Sequence, residues 1–236
     1  MQGSLVSYAL LAALATALVW AAVTDLKRRE IDNWLNLAVA LGAPVYWLAT
    51  GMTWVGMAFQ IGLAFVTFLF ACTLFAIRQM GGGDVKLLTA LSLWIGPLSF
   101  VPLVMMMAVI GGGASVAMAL FNMKRVPGEA ARDVLSGLIA IGFIWGCAAV
   151  AWALMSGTPV ISPKTAEAVI RAVPALWAGL IAAVVIMVIF TLGILHIVKR
   201  QRSRLPIPYG VAISAAGLWV LADRMIFAGP IGAQFG

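Results

Sequence analysis

Long apolar runs alternate with short charged or glycine- and proline-rich breaks along this 236-residue chain. Within each run the apolar residues are continuous, a pattern that predicts helices and disfavours the alternating strands of a β-barrel. Eight runs have the length of transmembrane helices or approach it. We place these runs at residues 4–24, 34–50, 53–77, 84–94, 100–121, 134–155, 174–198 and 209–222.

Glycine, proline and charged residues mark the limits of the runs. The fourth run, 84–94, is the shortest, and Gly96 and Pro97 supply its stop signal. Polar connectors at 126–132 and 156–173 separate the fifth, sixth and seventh runs. No Lys or Arg precedes the first run, which is long enough to span, so we expect a retained helix and not a cleaved signal.

The composition agrees with a membrane protein. The chain is 64% hydrophobic and 10% charged, with a mean hydropathy of +1.08, whereas soluble domains are about half apolar and a quarter charged. We therefore expect an all-α, polytopic membrane helical bundle of about eight transmembrane helices. The net charge of +7 does not indicate a nucleic-acid partner, and we expect none, because Lys and Arg collect in the cytoplasmic loops of membrane proteins.

The basic residues predict the orientation of the bundle. If the loop after the first run is cytoplasmic, all fifteen Lys and Arg residues except Lys164, Arg171 and Arg224 fall on the cytoplasmic side. The opposite orientation would reverse this asymmetry, which the positive-inside rule disfavours. Both termini are then expected outside, and Asp25 and Asp84 share the cytoplasmic side.

Metal and thiol chemistry find little support in the sequence. Cys72 and Cys147 both lie inside apolar runs, where we expect small buried hydrophobic residues. The sequence has no CxxC pair, so we expect no thiol zinc site and no disulfide framework. The single histidine, His196, lies near the end of a run, where an interfacial or hydrogen-bonded role is expected. We predict no metal and no cofactor.

Two aspartates stand at the edges of apolar runs, where an ionised carboxylate needs a partner. Asp25 ends the first run, and Asp84 follows a glycine triplet, Gly81-Gly82-Gly83. Three glycines permit backbone angles that are closed to other residues and allow a substrate backbone to approach. The first run travels inward and the fourth outward, so both carboxylates can reach one depth.

Two carboxylates at one depth predict the chemistry of an aspartyl protease. Like charges a few ångströms apart cannot both ionise, so one carboxyl keeps its proton and polarises a carbonyl while the other activates water. Simpler roles remain open. Asp25 can balance charge beside Lys27 and Arg28, and Asp84 can serve as the N-cap of the fourth helix.

Three segments resemble the type IV prepilin peptidase family, a branch of the GxGD intramembrane aspartyl proteases. Residues 24–34 are similar to the family's first aspartate motif, and residues 81–88 match the second, with Gly81 and Gly83 as its glycines. Residues 205–213 resemble a Pro-Tyr-Gly-Val-Ala-Ile segment of the short, single-domain members associated with Flp/Tad pili.

This resemblance implies a peptidase that removes a basic leader from a pilin precursor, after a glycine, at the cytoplasmic face of the bacterial inner membrane. Asp25 and Asp84 would be the catalytic pair, without a metal. Acidic residues near the site are candidates for contacts with the leader: Glu30, Asp32 and Glu129. Further residues are expected in the active-site loops or in substrate positioning: Gly81, Gly82, Gly83, Lys86, Pro206, Pro208, Tyr209 and Gly210.

The sequence departs from the family pattern in three places. The cysteine-containing cytoplasmic domain of the bifunctional members has no counterpart, so we expect cleavage without N-methylation. Asp32 stands where many members have proline. Residues 126–202 have the character of a two-helix insertion, of unassigned role, in a single transmembrane protease domain that covers residues 1–236.

Two other functions compete with peptidase activity. A transporter can use a pair of acids to carry protons or cations, and a non-catalytic component of pilus assembly can keep the fold without the reaction. The expected partners are a prepilin substrate, membrane lipids at the basic run 199–204, and pilus-assembly proteins.

Overall fold

The computed structural model describes residues 5–124, 128–172, 176–201 and 209–223. These residues form α1 (Leu5–Arg28), α2 (Asn33–Thr50), α3 (Trp54–Ala76), α4 (Gly82–Ser92), α5 (Pro97–Phe121), α6 (Ala130–Ser156), α7 (Pro163–Ala172), α8 (Leu176–Lys199) and α9 (Tyr209–Asp223). Among them no β-strand occurs, and a single bridge pairs Met123 with Gln201. The all-α prediction is confirmed.

Local signals in the sequence fix several helix ends. The Thr53 side chain accepts a hydrogen bond from the Gly56 amide over 3.2 Å and caps α3. Pro97 occupies the first position of α5, where its missing N–H leaves nothing unsatisfied. Gly51 and Gly157 end α2 and α6 in the left-handed conformation that glycine adopts most easily.

The structure corrects two sequence predictions about the helices. The first helix continues to Arg28, so Asp25 lies inside its last turn and not at its end. The connector at 156–173 contains α7, whose start is capped by Ser162 through a 3.1 Å hydrogen bond from the Thr165 amide. Because α7 is short and carries Lys164, Glu167 and Arg171, a search for long apolar runs misses it.

Five of the described helices are long and apolar enough to cross a membrane: α1, α3, α5, α6 and residues Gly179–Lys199 of α8. The predicted count of eight spans is not confirmed. At 1.5 Å per residue, α2, α4 and α9 reach roughly 27, 17 and 23 Å, less than the ~30 Å hydrocarbon core of a bilayer. The chain therefore mixes full-length spans with shorter helices.

The chain divides into two compact units. The first comprises residues 1–108 and 208–236, and the second comprises residues 109–207. The unit boundary falls within α5. The predicted insertion, 126–202, lies in the second unit, which also includes the second half of α5.

In the first unit α4 is the most enclosed helix. It packs against α2, α3 and α9, and α1 packs against α2 and α9. Leu87, Leu88 and Leu91 of α4 are fully buried. A Cβ atom on Gly217 would lie 2.9 Å from Leu18 and Leu91, so α9 approaches α1 and α4 closely because it has no side chain there.

Side chains from neighbouring helices satisfy the carbonyls at the end of α4. The Nε2 atom of Gln60 donates to the carbonyl oxygens of Ser92 and Ile95 over 2.5 and 2.8 Å. The Nε1 atom of Trp47 donates to the Leu93 carbonyl over 2.9 Å. An apolar surrounding offers these carbonyls no water, so the hydrogen bonds fix where α4 ends.

In the second unit α6 packs against α8 around a small apolar core of Val116, Ala119, Ala140 and Ile197. Ionic side chains join the start of α6 to the end of α8. Asp133 Oδ1 lies 3.1 Å from His196 Nε2 and 3.9 Å from Arg200, and Arg200 also pairs with Glu129. The expectation that His196 is hydrogen-bonded within the bundle is confirmed.

Candidate active site

Asp25 lies in the last turn of α1 and is 5% exposed. Its Oδ2 atom accepts a hydrogen bond from the backbone N–H of Val211 over 3.1 Å. The backbone N–H of Gly210 also interacts with this carboxylate. Both amides belong to the first turn of α9, whose unpaired N–H groups and partial positive charge suit an anion.

Asp84 is the third residue of α4 and is 7% exposed. Its Oδ2 atom accepts a hydrogen bond from the backbone N–H of Gly81, the N-cap residue, over 3.1 Å. The predicted N-cap role therefore belongs to Gly81, and Asp84 caps the helix start from inside the first turn, as acids do in a capping box. This contact orients the carboxyl group without occupying its second oxygen.

The first turn of α9 brings the two aspartates into one site. The backbone N–H of Gly210 interacts with both carboxyl groups. Burial, and to a smaller extent the charge of Asp25, raises the pKa of Asp84 to about 7. The α4 helix is not among the five candidate spans, and Asp84 lies in its first turn. Two carboxyl groups that share a donor and repel each other can hold one proton between them.

Gly210 makes this arrangement possible because it lacks a side chain. A Cβ atom there would lie 2.8 Å from Asp25 Oδ2 and 2.7 Å from the Cδ1 atom of Ile31. Ile31 is itself buried, and it lies between the first turns of α9 and α4. On the α4 side, a Cβ atom added to Gly83 would lie 3.3 Å from the Cβ atom of Ile31. Ile31, in the loop after α1, therefore packs against both Gly210 and Gly83.

The glycine triplet works differently from its sequence prediction. Gly81 has φ −77°, and none of the three glycines adopts a positive φ. Gly82 and Gly83 already belong to α4, so the triplet is a helix start and not an irregular turn. The absence of side chains in the triplet lets Ile31 pack against Gly83 and leaves Gly81 and Gly82 exposed.

Two side chains of α2 contact the start of α4. Asn33 Oδ1 accepts a 2.7 Å hydrogen bond from Lys86 Nζ, which is exposed. The Asn36 side chain is buried and donates from Nδ2 to the Gly83 carbonyl over 3.4 Å. Ile31, Asn36 and Val211 are not among the predicted site residues, although Ile31 and Val211 stand in segments that resemble the family motifs. The spacing of Asn33 and Asn36, one turn apart on α2, is the signal that could have found Asn36.

The structure places the remaining predicted residues as follows. Tyr209 and Gly210 begin α9, whereas Pro206 and Pro208 lie outside the described residues. Glu30 is exposed in the loop after α1.

The other two acids predicted to contact a leader already form ion pairs with arginine side chains. Asp32 forms a 2.9 Å ion pair with Arg28. In the second unit, Glu129 pairs with Arg200 and lies 3.8 Å from Arg132. Across the described part of the chain, no group of three or more His, Cys, Asp or Glu side chains could hold a metal ion.

Comparison with protein families gives a match to the type IV leader peptidase family over residues 12–124. This part of the chain belongs to the type IV leader peptidase family. The matched segment contains both Asp25 and Asp84, and the family assignment implies an aspartic-type protease embedded in a membrane. No curated protein and no solved structure gives a significant match.

The first turn of α9 lies beyond the region matched by the leader peptidase family. Its contact with Asp25 is therefore supplied by the structure alone. The same holds for the second unit, of which only residues 109–124 fall inside the match.

Proposed function

We propose that this protein is a prepilin leader peptidase of the Flp/Tad type. It removes a basic leader from a pilin precursor, after a glycine, at the cytoplasmic membrane face, and it does not methylate the new N-terminus. The observation that carries the proposal is the Gly210 amide, which interacts with both Asp25 and Asp84 in a chain that matches the leader peptidases.

The surroundings of the two acids support different roles for them. Arg29 is the charged group nearest in effect to Asp25, whereas the charge that acts on Asp84 is that of Asp25 itself. We therefore assign the shared proton to Asp84 and the negative charge to Asp25. The two still titrate as a coupled pair.

The reaction follows from these roles. Asp25 takes a proton from water, and the resulting nucleophile attacks the scissile carbonyl carbon. Asp84 donates its hydrogen bond to the carbonyl oxygen and stabilises the charge that develops there. Collapse of the tetrahedral intermediate breaks the C–N bond, and the leaving nitrogen takes up the proton that Asp25 had taken from water. The pair ends with one proton, as it began.

The exposed glycines at the start of α4 support the substrate side of this proposal. Gly81 and Gly82 are exposed and have no side chains of their own, and they come shortly before Asp84 in the chain. A precursor with glycine before the scissile bond can approach such a surface in extended form. Glu30, exposed beside the site, is the acid we assign to the basic leader, because Asp32 already pairs with Arg28.

Cleavage of a co-expressed precursor tests the catalytic pair. We expect Asp25→Asn and Asp84→Asn each to lower the cleavage rate at least about 100-fold, because either change removes the shared-proton chemistry. Asp223→Asn, an exposed acid at the end of α9, is the matched control and should cleave normally. Full cleavage by either active-site variant, with normal membrane insertion, would exclude the mechanism.

The pH profile gives a second test. Since the pKa of Asp84 is raised to about 7, the protonated form that the reaction needs is lost as the pH rises through that value. We expect the rate on a synthetic precursor to fall above about pH 7.

Mass spectrometry of the mature pilin should show an unmethylated N-terminus. Acid-dependent ion flux in proteoliposomes without cleavage would favour the transporter alternative.

A further inference from the structure

Asn36 is a buried asparagine beside the candidate site. It lies in the first turn of α2 and is only 4% exposed. Its Nδ2 atom donates to the carbonyl oxygen of Gly83 over 3.4 Å, and Gly83 immediately precedes Asp84. The side chain therefore links α2 to the stretch of backbone that carries the second aspartate.

The other polar atom of Asn36 has no donor. Its Oδ1 atom is buried and accepts no hydrogen bond from any residue that the structure describes. An unsatisfied buried acceptor costs about 1–3 kcal/mol, and such groups are few in native proteins. The hydrogen bond from Nδ2 to Gly83 does not relieve this cost, so the acceptor points to a ligand that supplies an N–H or O–H group.

The backbone just before Gly83 is exposed, although Asn36 itself is buried. Gly81 and Gly82, one and two residues before Gly83, are exposed and carry no side chains. An extended peptide laid along them presents main-chain N–H groups at regular intervals. Proteins that bind extended peptides use main-chain hydrogen bonds of this kind to set the register of the bound chain.

We propose that Asn36 is a positioning residue that acts on both sides of the reaction. Its Nδ2 atom holds the Gly83 carbonyl and thereby the backbone of Asp84, and its Oδ1 atom accepts a main-chain N–H of the peptide substrate beside the scissile bond. This inference rests on the proposed peptidase function. It separates two effects, one on the rate of chemistry and one on substrate binding.

Two substitutions separate the effects. Asn36→Leu removes donor and acceptor together, so we expect both a lower kcat and a higher KM, with kcat/KM reduced about tenfold or more. Asn36→Asp keeps an acceptor and loses the donor when ionised, so we expect a lower kcat with KM within twofold of the parent value. Both are measured on the purified full-length protein with a synthetic precursor peptide.

The pH dependence of Asn36→Asp supplies a readout that a purely structural role would not give. A protonated carboxyl regains an O–H that can donate to the Gly83 carbonyl. We therefore expect the rate of Asn36→Asp, divided by that of the parent protein, to rise as the pH falls from 8 to 5. Asp25, Asp84 and Lys86, the charged groups near the start of α4, are present in both proteins.

Thr67→Val is the matched control, because Thr67 is equally buried but hydrogen-bonds only within α3, to the Leu63 carbonyl. The same assay includes Asp25→Asn. If Asp25→Asn is inactive while both Asn36 variants match the parent in kcat, KM and pH profile, the inference about Asn36 is wrong and the proposed function stands.

Cleavage by Asp25→Asn would instead remove the proposed function, and the inference with it. If Asn36→Leu does not fold, the rate ratio of Asn36→Asp still decides. A flat ratio between pH 5 and 8 would overturn the role of the Nδ2 donor. An equal loss of activity in Thr67→Val would assign the effect to buried polar groups in general.

Discussion

Gly210 shows how much one missing side chain decides at the candidate site. Its backbone N–H serves both carboxyl groups, and a Cβ atom would lie 2.8 Å from Asp25 Oδ2 and 2.7 Å from Ile31 Cδ1. Contacts this short force a neighbour to move. One of those neighbours is Asp25 Oδ2, so a side chain at Gly210 would displace the carboxylate of the candidate site.

We therefore expect Gly210→Ala to lower the cleavage rate at least about tenfold while the protein still inserts in the membrane. A displacement of about 1 Å between reacting groups is enough for a loss of this size. The measurement is the rate of precursor cleavage by membranes with matched protein levels.

Gly62→Ala is the control, because a Cβ atom on Gly62 in α3 meets nothing within 4 Å. It should leave cleavage unchanged. Normal activity of Gly210→Ala would mean that the first turn of α9 is not fixed against Asp25 when the enzyme works.

Residue identity predicts the two acids better than it predicts their surroundings. Asp25 and Asp84 stand out because an acid at the edge of an apolar run is unusual. Ile31 and Asn36 do not stand out, since an isoleucine and an asparagine are ordinary in a loop and a helix start. Their roles depend on which helices meet at the site, and that information is absent from local sequence.

At the scale of elements, α4 is the helix that the rest of the first unit positions. It has only 11 residues, and its neighbours α2, α3 and α9 surround it. Sequence reasoning located it through the glycine triplet and the Gly96-Pro97 stop. It could not foresee that side chains of α2 and α3 would cap the helix end, because those contacts join residues more than 30 positions apart.

Gln60 tests this interpretation. In Gln60→Leu the carbonyls of Ser92 and Ile95 lose the donor that the structure shows for them, in a buried and apolar setting. Two buried carbonyls lose their donor, whereas Gln60 Oε1, a buried atom without a hydrogen bond, is removed with the side chain. We therefore expect a net loss of about 1–2 kcal/mol, which corresponds to a fall in Tm of roughly 5 °C for a chain of this size. Thermal unfolding in detergent measures it.

Thr73→Val serves as the control on the same helix, because Thr73 is exposed and hydrogen-bonds only to carbonyls of α3. Its Tm should change by less than about 1 °C. An unchanged Tm in Gln60→Leu would mean that the Trp47 contact alone holds the end of α4.

The prediction of helices from the sequence failed for a helix that is both short and partly polar. The α7 helix is amphipathic and ten residues long, so the apolar-run criterion assigned it to a connector. In contrast, the long runs of α3, α5 and α6 were located to within a few residues, because an apolar stretch of that length has no other stable form in a bilayer.

For the whole molecule, the shared site constrains how the chain crosses the membrane. Asp25 lies in the last turn of α1 and Asp84 in the first turn of α4, so we expect these two points to lie on the same side of the membrane. Only α2 and α3 connect them. If α3, which is long and apolar enough, crosses the membrane, we expect α2 to cross back, although its 18 residues reach only about 27 Å.

Cysteine labelling tests this topology, with Cys72 and Cys147 first replaced by alanine. Three exposed positions report on the loops around α2 and α3: Glu30, Trp54 and Gln79. If α2 crosses, Glu30→Cys and Gln79→Cys react with an impermeant maleimide only from the cytoplasmic side, and Trp54→Cys reacts only from the other side. Inverted vesicles and intact spheroplasts distinguish the two. Labelling of all three positions from one side would show that neither α2 nor α3 crosses the membrane. Labelling of Glu30→Cys and Gln79→Cys only from the non-cytoplasmic side would contradict the orientation predicted from Lys27, Arg28 and Arg29.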